Sequence, residues 1–381
     1  MVLAQPAAPP RTDIRVKTIR RFLYAEVLKA VAFVTLGFLA LFFFFDFVDE
    51  LRYIGRANSE YQLPQALAFV ALSMPGHLYE LLPITVLIGT IFVMARLAQS
   101  SEFTILRTSG LGPWRALGTL LSLGLVFVLL TFAAGDYAAP AADRAAQLIK
   151  ARYKGQITVG QTGAWLRERQ DDIAYAANVR ALRPDGTLQG IRIFEFDRRG
   201  FLSAHTEARS AQFGPDAAWT LQDVQRSEFH TQDGQPRIER SSEATRIWPT
   251  QITAEMVAAA LLKPDSMSTL DLFEYIRHLD ANGQAAQRYE IQFWRKVFYP
   301  ISCLVMVVLA LPFAYLHFRS GGIATYVFGG VMAGVSFFLL NNVFGYIGNL
   351  QNWLPWLTAA APGMIYSVLS LAAFSWLVLR R

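Results

Sequence analysis

Between Arg319 and Arg380 the chain places no Asp, Glu, Lys or Arg. A run of that length has no way to build an ordinary wetted surface, because a soluble domain carries charge on about a quarter of its residues. Shorter charge-free runs recur at residues 30–45, 81–95, 116–135 and 297–318, while residues 136–294 are ordinarily polar. Over all 381 residues, 53% are hydrophobic and only 17% are charged, and the mean hydropathy is +0.30. A disordered chain and a purely soluble enzyme are excluded. The pattern is that of a membrane protein with one polar insert.

A membrane-spanning helix takes about 20 mostly apolar residues. Six candidates meet that length, at residues 24–48, 64–97, 114–134, 297–316, 323–347 and 354–379. The second carries Pro75 and Pro83 and is expected to bend there. The division is a tail at 1–23, three spans over 24–135, an insert at 136–294 and three spans over 295–381. Residues 1–12 hold Pro6, Pro9 and Pro10 and are expected to be disordered, and the rest of the tail is expected as an amphipathic start. No small-residue cleavage site follows it, so no cleavable signal is expected.

Six spans bring both termini to one side, and Lys and Arg in the short connections select that side. With the N-terminus inside, the inner segments hold eleven cations: Arg11, Arg15, Lys17, Arg20, Arg21, Arg96, Arg107, Arg115, Arg319, Arg380 and Arg381. The short outer connections hold Arg52 and Arg56. Arg288, Arg295 and Lys296 oppose this count, but they follow a long domain, where the rule is weak. The insert is therefore expected on the extracytoplasmic face, with both termini in the cytoplasm.

Within the insert, turn signals stand at Pro184-Asp185-Gly186, Asp197 to Gly200, Gly214-Pro215-Asp216 and Asp233-Gly234. β-prone pieces such as Gly190 to Phe196 and Ala218 to Leu221 lie between them. This spacing predicts an antiparallel β-domain, a sandwich or jelly roll. Helices are expected at its ends, over 136–154 and 268–287, with Ser268 as cap and Asp271 in the first turn. Cys303 is the single cysteine, so the insert has to fold on its own core without a disulfide.

Catalytic motifs are missing from the sequence. It has no Gly-rich phosphate loop ending in Lys-Ser/Thr, no His-Glu-x-x-His and no Gly-x-Ser-x-Gly. The five histidines are scattered, and no metal-ligand spacing occurs. Gly135-Asp136 reads as a helix-exit feature. No catalytic residue, resident cofactor, metal or nucleic-acid partner is expected.

The inner segment at about 99–111 carries the densest local signal. Ser100 or Ser101 can cap a short helix, Glu102 favours its first turn, Gly110 ends it and Pro113 opens the next helix. Phe103, Leu106 and Gly110 share one face. Such a helix can lie on the membrane, dock in a groove of a cytosolic partner, or stand as a plain surface helix. At the far end of span 1, Asp46, Asp49 and Glu50 crowd the hydrocarbon edge, where carboxylates need water or partners. Arg52, Arg144, Lys150 and Arg152 lie just beyond spans 1 and 3. They form either an ordinary basic rim or a site for a phosphorylated headgroup. Gly330 and Gly334 in span 5 permit close helix approach, inside the chain or at a subunit seam.

Together these features resemble the LptF/LptG permease family of the lipopolysaccharide exporter. The matching residues include Phe47 to Leu51, Met74-Pro75, Leu82-Pro83, Leu97 to Glu102 leading to Ser109-Gly110, and Gly135 to Pro140. They continue through Gly283 to Tyr289, Trp294-Arg295-Lys296, Pro300 and Phe344-Gly345. The Phe-Val-Asp stretch leans toward the LptG branch. The resemblance implies a permease half, non-catalytic by itself, in the inner membrane. It implies pairing with an LptF-like half, and with an LptC-like single-span jelly-roll protein. ATP and Mg would be bound by an LptB-like ATPase dimer. The segment with Glu102, Phe103, Leu106 and Arg107 corresponds to the helix that couples to the ATPase. Arg52 and Lys150 match basic positions near the substrate cavity, and Arg144 lies beside them. Asp46 stands where some members have lysine, so a phosphate contact does not carry over there. The alternatives are an LptF-like half, a membrane-anchored β-domain scaffold or sensor, and an ion-coupled transporter using Glu80.

Overall fold

The computed structural model describes residues 12–54, 61–110, 112–154, 163–170, 173–183, 186–214, 218–232, 235–253, 256–257, 264–315 and 323–376. The proline-containing tail, Arg56, Arg319, Arg380 and Arg381 lie outside the described residues, as do Pro184, Asp185, Pro215, Asp216, Asp233 and Gly234. The chain divides into two compact units. One comprises residues 1–42, 77–134 and 294–381, the other 43–76 and 135–293.

The first unit is helical. Apolar runs with no polar alternative satisfy their backbone internally, and a helix does this within one segment. Its helices are α1 (Thr12–Leu51), α2 (Leu63–Gln99), α3 (Glu102–Thr108), α4 (Pro113–Ala133), α7 (Gln287–Phe298), α8 (Ser302–Ala310), α9 (Ile323–Leu350) and α10 (Pro355–Phe374); α1, α2 and α7 continue into the second unit. Among the described residues five helices are long and apolar enough to cross a membrane, and α7 with α8 makes a sixth if the bent pair is one span. Span 4, expected as one run, is broken by 46° between Phe298 and Ser302. Pro300 sits in the break, where it supplies no amide hydrogen. Span 2, by contrast, stays helical through Pro75 and Pro83. Tyr299 donates its hydroxyl to the Glu80 carbonyl at 2.5 Å, in the turn before Pro83, which gives a carbonyl near the proline a donor from the broken span.

Helix α2 forms the centre of this unit: 83% of its most apolar window is buried, against 11% for α1 and 17% for α9. Close backbone approach makes that possible. A Cβ added at Gly330 would stand 2.7 Å from Ile91, and one at Gly334 2.7 Å from Ile84, so the span-5 glycines pack inside the chain. At Gly89 the added atom would lie 2.8 Å from the Val31 backbone. Gly89→Ala is expected to cost about 1–3 kcal/mol, because backbone gives way poorly. Gly37→Ala meets nothing within 4 Å and is expected to be neutral or to stabilise by up to about 1 kcal/mol. Melting both variants in one detergent checks the ordering.

The second unit is built on a six-stranded antiparallel sheet: β1 (Ala164–Gln170), β2 (Ile173–Leu182), β3 (Leu188–Phe196), β4 (Leu202–Phe213), β5 (Ala218–Gln232) and β6 (Gln235–Pro249). Each described strand bonds to its sequence neighbour, so the order is a meander. The expected β-domain is present, with β3 and β5 where the β-prone pieces lie. Its described strands run without the crossovers of a Greek key. The β3–β4 turn shows the local cause: Asp197 accepts the amides of Arg199 and Phe201, both at 2.9 Å, and Gly200 takes φ 81°.

Alternation puts one face of the sheet inside. Leu166, Ala177 and Ile193 line up across three strands, as do Ala164, Val179, Ile191, Ala208 and Val224 across five. Trp219 is fully buried beside them and donates Nε1 to the Ile252 carbonyl at 2.7 Å. The same face turns polar at one end. Buried Glu168 accepts from Thr250, from the Gln251 amide at 2.7 Å and from Gln170 at 2.9 Å. Arg226 pairs with both oxygens of Glu195, with Glu228 and with Thr206.

Two further described helices belong to the unit, α5 (Ala139–Lys154), which follows a π-helical turn at Ala134–Ala138, and α6 (Thr269–Ala281). Ser268 and Asp271 close a reciprocal capping box on α6, as the sequence pattern predicts.

Candidate partner and substrate surfaces

Helix α3 is shorter than the segment expected at 99–111, and its two faces differ. Glu102, Ile105 and Arg107 are exposed, with Ile105 at 62%. Phe103 is buried and Leu106 is half-buried against the same helical core. The apolar face read from the spacing is real, but it is turned inward. The outward face combines the Glu102 carboxylate with the apolar Ile105, a residue the spacing argument passed over. Its signal was available, since Ile105 lies three residues from Glu102 and therefore on the Glu102 side.

The expected serine cap is not formed. Ser101 takes φ 59° and makes no side-chain capping bond, and Ser100 donates to the Leu97 carbonyl instead. A left-handed residue here turns the chain sharply out of α2, and that geometry takes the hydroxyl away from the first-turn amides. At the other end Gly110 has φ 106°, and Pro113 opens α4 as expected. Below this hairpin, Arg96 at the end of α2 is ion-paired with Glu26 of α1, which Lys29 also approaches at 3.5 Å.

The other group of candidates lies in the second unit. Asp46 is half-buried on α1. Arg52 is exposed just past the end of α1 and reaches Asp49 at 3.5 Å. Glu50, in the last turn of α1, is buried, and Tyr61 donates to it at 2.9 Å. Burial, with the Glu50 carboxylate beside it, pushes the Tyr61 hydroxyl well above its ordinary range. Arg144, on α5, is ion-paired with Asp271 of the capping box. Asp136 joins the same helix start, accepting the Thr269 amide at 2.6 Å. The helix-exit reading of Asp136 thus has a concrete form: with Asp271 it places negative charge at the positive end of α6. Lys150 belongs to α5, and its side chain lies outside the described residues.

The described basic candidates are therefore not equivalent. Arg52 is held only by an exposed pair of the kind worth about 0–1 kcal/mol, whereas Arg144 is tied into a helix start. Among the described residues no group of three or more His, Cys, Asp or Glu is placed to hold a metal ion. Cys303 is buried and lies 3.2 Å from the Thr131 hydroxyl.

Comparison with known proteins identifies the family. The family described as lipopolysaccharide export system permease LptF/LptG matches residues 21–379. The chain is 28% identical over 338 residues to the lipopolysaccharide export system permease protein LptG of Escherichia coli K12, covering 88% of this chain and 90% of that protein. It is 27% identical over 369 residues to the protein of the same name from Haemophilus influenzae, covering 96% of this chain and 99% of that one. Apolar helices before and after an antiparallel sheet domain in chain order, together with these matches over most of its length, place this multi-pass membrane protein in the LptF/LptG family, as a permease of the LptG type.

Proposed function

We propose that the chain is the LptG-like half of an ATP-driven exporter that lifts lipopolysaccharide from the outer leaflet of the inner membrane. It passes the lipid to a periplasmic bridge of jelly-roll domains. Its partners are an LptF-like half, an LptB-like ATPase dimer and an LptC-like single-span protein. The termini lie in the cytoplasm and the sheet domain in the periplasm, the topology that the Lys and Arg distribution favours.

The energetics of the lipid support the need for an external motor. Withdrawing an acyl chain costs about 0.8 kcal/mol per CH₂, so ~12 carbons cost on the order of 10 kcal/mol. This chain has no phosphate-binding loop to supply it. ATP and Mg belong to the partner ATPase, and this chain is non-catalytic. Closure of the ATPase shifts the permease between two states because α3 is contacted differently in each.

The observation that carries the reading is the outward face of α3, where an exposed carboxylate and an exposed isoleucine stand on a helix whose other face is buried. That combination suits a groove with a cationic lip and an apolar floor. For the lipid, Arg52 is the basic side chain free enough to exchange its partner for a phosphate. Arg144 and Lys150 line the same stretch of chain, and Asp46 limits how close an anion comes to α1.

Glu102→Lys is expected to lower co-purification of the ATPase and ATP-dependent lipopolysaccharide release at least tenfold while the variant still accumulates in the membrane. Export at the wild-type rate by that variant would falsify α3 docking. The scaffold alternative predicts that same normal rate.

A further inference from the structure

Helix α3 is connected to the rest of the chain in two ways. Covalently it joins α2 and α4, both in the first set of spans, through Ser101 at φ 59° and Gly110 at φ 106°. Those two left-handed residues break the helical backbone on each side, so the seven-residue helix is a separate short element. The second connection is non-covalent and reaches the second set of spans. Phe103 is 4% exposed and meets Tyr315 edge to face, with ring centroids 5.1 Å apart and planes at 76°. Tyr315 is itself buried and ends the 3₁₀ turn Leu311–Tyr315, which continues from α8. Phe103 is the one buried residue of α3.

We propose that the Phe103–Tyr315 contact is the joint that transmits load from α3 to the broken span. Helix α3 acts as a lever hinged at Ser101 and Gly110, with Glu102 and Ile105 taking the load on one face and Phe103 delivering it on the other. The packed core around Phe103, which includes Leu97, Leu120 and Leu311, resists compression. Displacement of the ring therefore moves Tyr315 and the turn that holds it. The 46° break between α7 and α8 is where the receiving span has already lost helical continuity, so motion concentrates there. Phe103 and Tyr315, both buried in the helical core, act in this assignment as positioning residues. This assignment rests on α3 being the ATPase-docking element.

The test uses the whole exporter, purified with its ATPase and partner subunits and reconstituted in liposomes containing lipopolysaccharide. Three quantities are read: ATPase co-purification, ATP hydrolysis and ATP-dependent lipopolysaccharide release. Phe103→Leu keeps an apolar side chain but removes the ring, and Tyr315→Leu removes the other ring. Both are expected to retain the ATPase and to hydrolyse ATP within about twofold of wild type, while release falls at least tenfold. Tyr315→Phe keeps both rings and is expected to retain release. Membrane levels of each variant report folding, and the two leucine variants test the same joint from opposite sides should one fail to accumulate.

Normal release in the leucine variants overturns the joint. So does loss of release in Tyr315→Phe, loss of the ATPase, or a fall in release matched by an equal fall in hydrolysis. Glu102→Lys, run alongside, separates the two levels. If it keeps both the ATPase and release, the docking reading fails regardless of what the Phe103 variants do.

Discussion

Arg226→Met is expected to destabilise the sheet domain by about 3 kcal/mol, because it removes the guanidinium from two carboxylates on the inner face. Arg226 and Glu195 each keep only 12–13% of their side chains exposed. Glu228 keeps 38% and can still reach water, which holds the cost at the lower end for a broken buried pair. Removing Glu195 as well, in Arg226→Met/Glu195→Met, is expected to recover most of the loss, since two apolar side chains replace two desolvated charges. Hydrogen-exchange mass spectrometry on the full chain, read at β3, β4 and β5, measures both variants without assuming that the domain folds alone. A double variant no better than the single one would remove the ion pair as the cause.

The same cluster has a pH signature. The hydrogen bond from Arg226 is the main cause holding the Glu228 carboxyl below its ordinary range, and burial opposes it. A carboxyl lowered in the folded state contributes stability above its unfolded value and loses it as pH falls through the folded value. The wild-type domain therefore loses this contribution from about pH 4 downward. Arg226→Met is expected to show a smaller step from Glu228, since only the weaker contact with His230 remains to lower it.

Trp219→Ala is expected to cost more, about 3–5 kcal/mol. The indole is fully buried, stacks edge to face on Phe213 with centroids 5.0 Å apart, and pairs in register with Trp248 across the β5–β6 ladder. Truncation leaves a cavity in an interior that does not collapse freely. It also leaves the Ile252 carbonyl without its donor, a further penalty of about 1–3 kcal/mol if water does not enter. Trp219→Phe separates the two costs: it fills most of the space and forfeits only the hydrogen bond. Exchange in β5 and β6 should rise strongly in the alanine variant and modestly in the phenylalanine one. Equal protection in both would mean that the hydrogen bond, and not the volume, dominates.

Both predictions bear on what the sheet domain can do. Its inner face is apolar from Leu166 through Val224 and polar around Glu168, Glu195 and Arg226. The charged residues at the polar end are matched to one another.

The sequence alone determined the parts of this protein whose causes are local. Charge-free runs long enough for a bilayer dictate helices, because only a helix satisfies the backbone in hydrocarbon within a single segment. The spacing of Ser268 and Asp271 dictates a helix start, and Gly110 followed by Pro113 dictates a stop and a restart. Turn chemistry at Asp197 to Gly200 places a hairpin.

Tertiary structure decided the remainder, since those features depend on partners far away in the chain. Periodicity showed that Phe103 and Leu106 share a face, but it carries no information about which side the bundle occupies. The direction of that face was settled by Tyr315. Arg144 read as an open cation until Asp271 met it, and the glycines of span 5 were ambiguous until Ile84 and Ile91 filled the space beside them. Glu168, Glu195 and Arg226 look like ordinary strand surface in sequence. Only the pairing register puts Arg226 within reach of Glu195 and folds Glu168 under Thr250 and Gln251. Local pattern fixes which backbone forms at low cost, whereas burial of a charge is decided by whether distant groups arrive to match it.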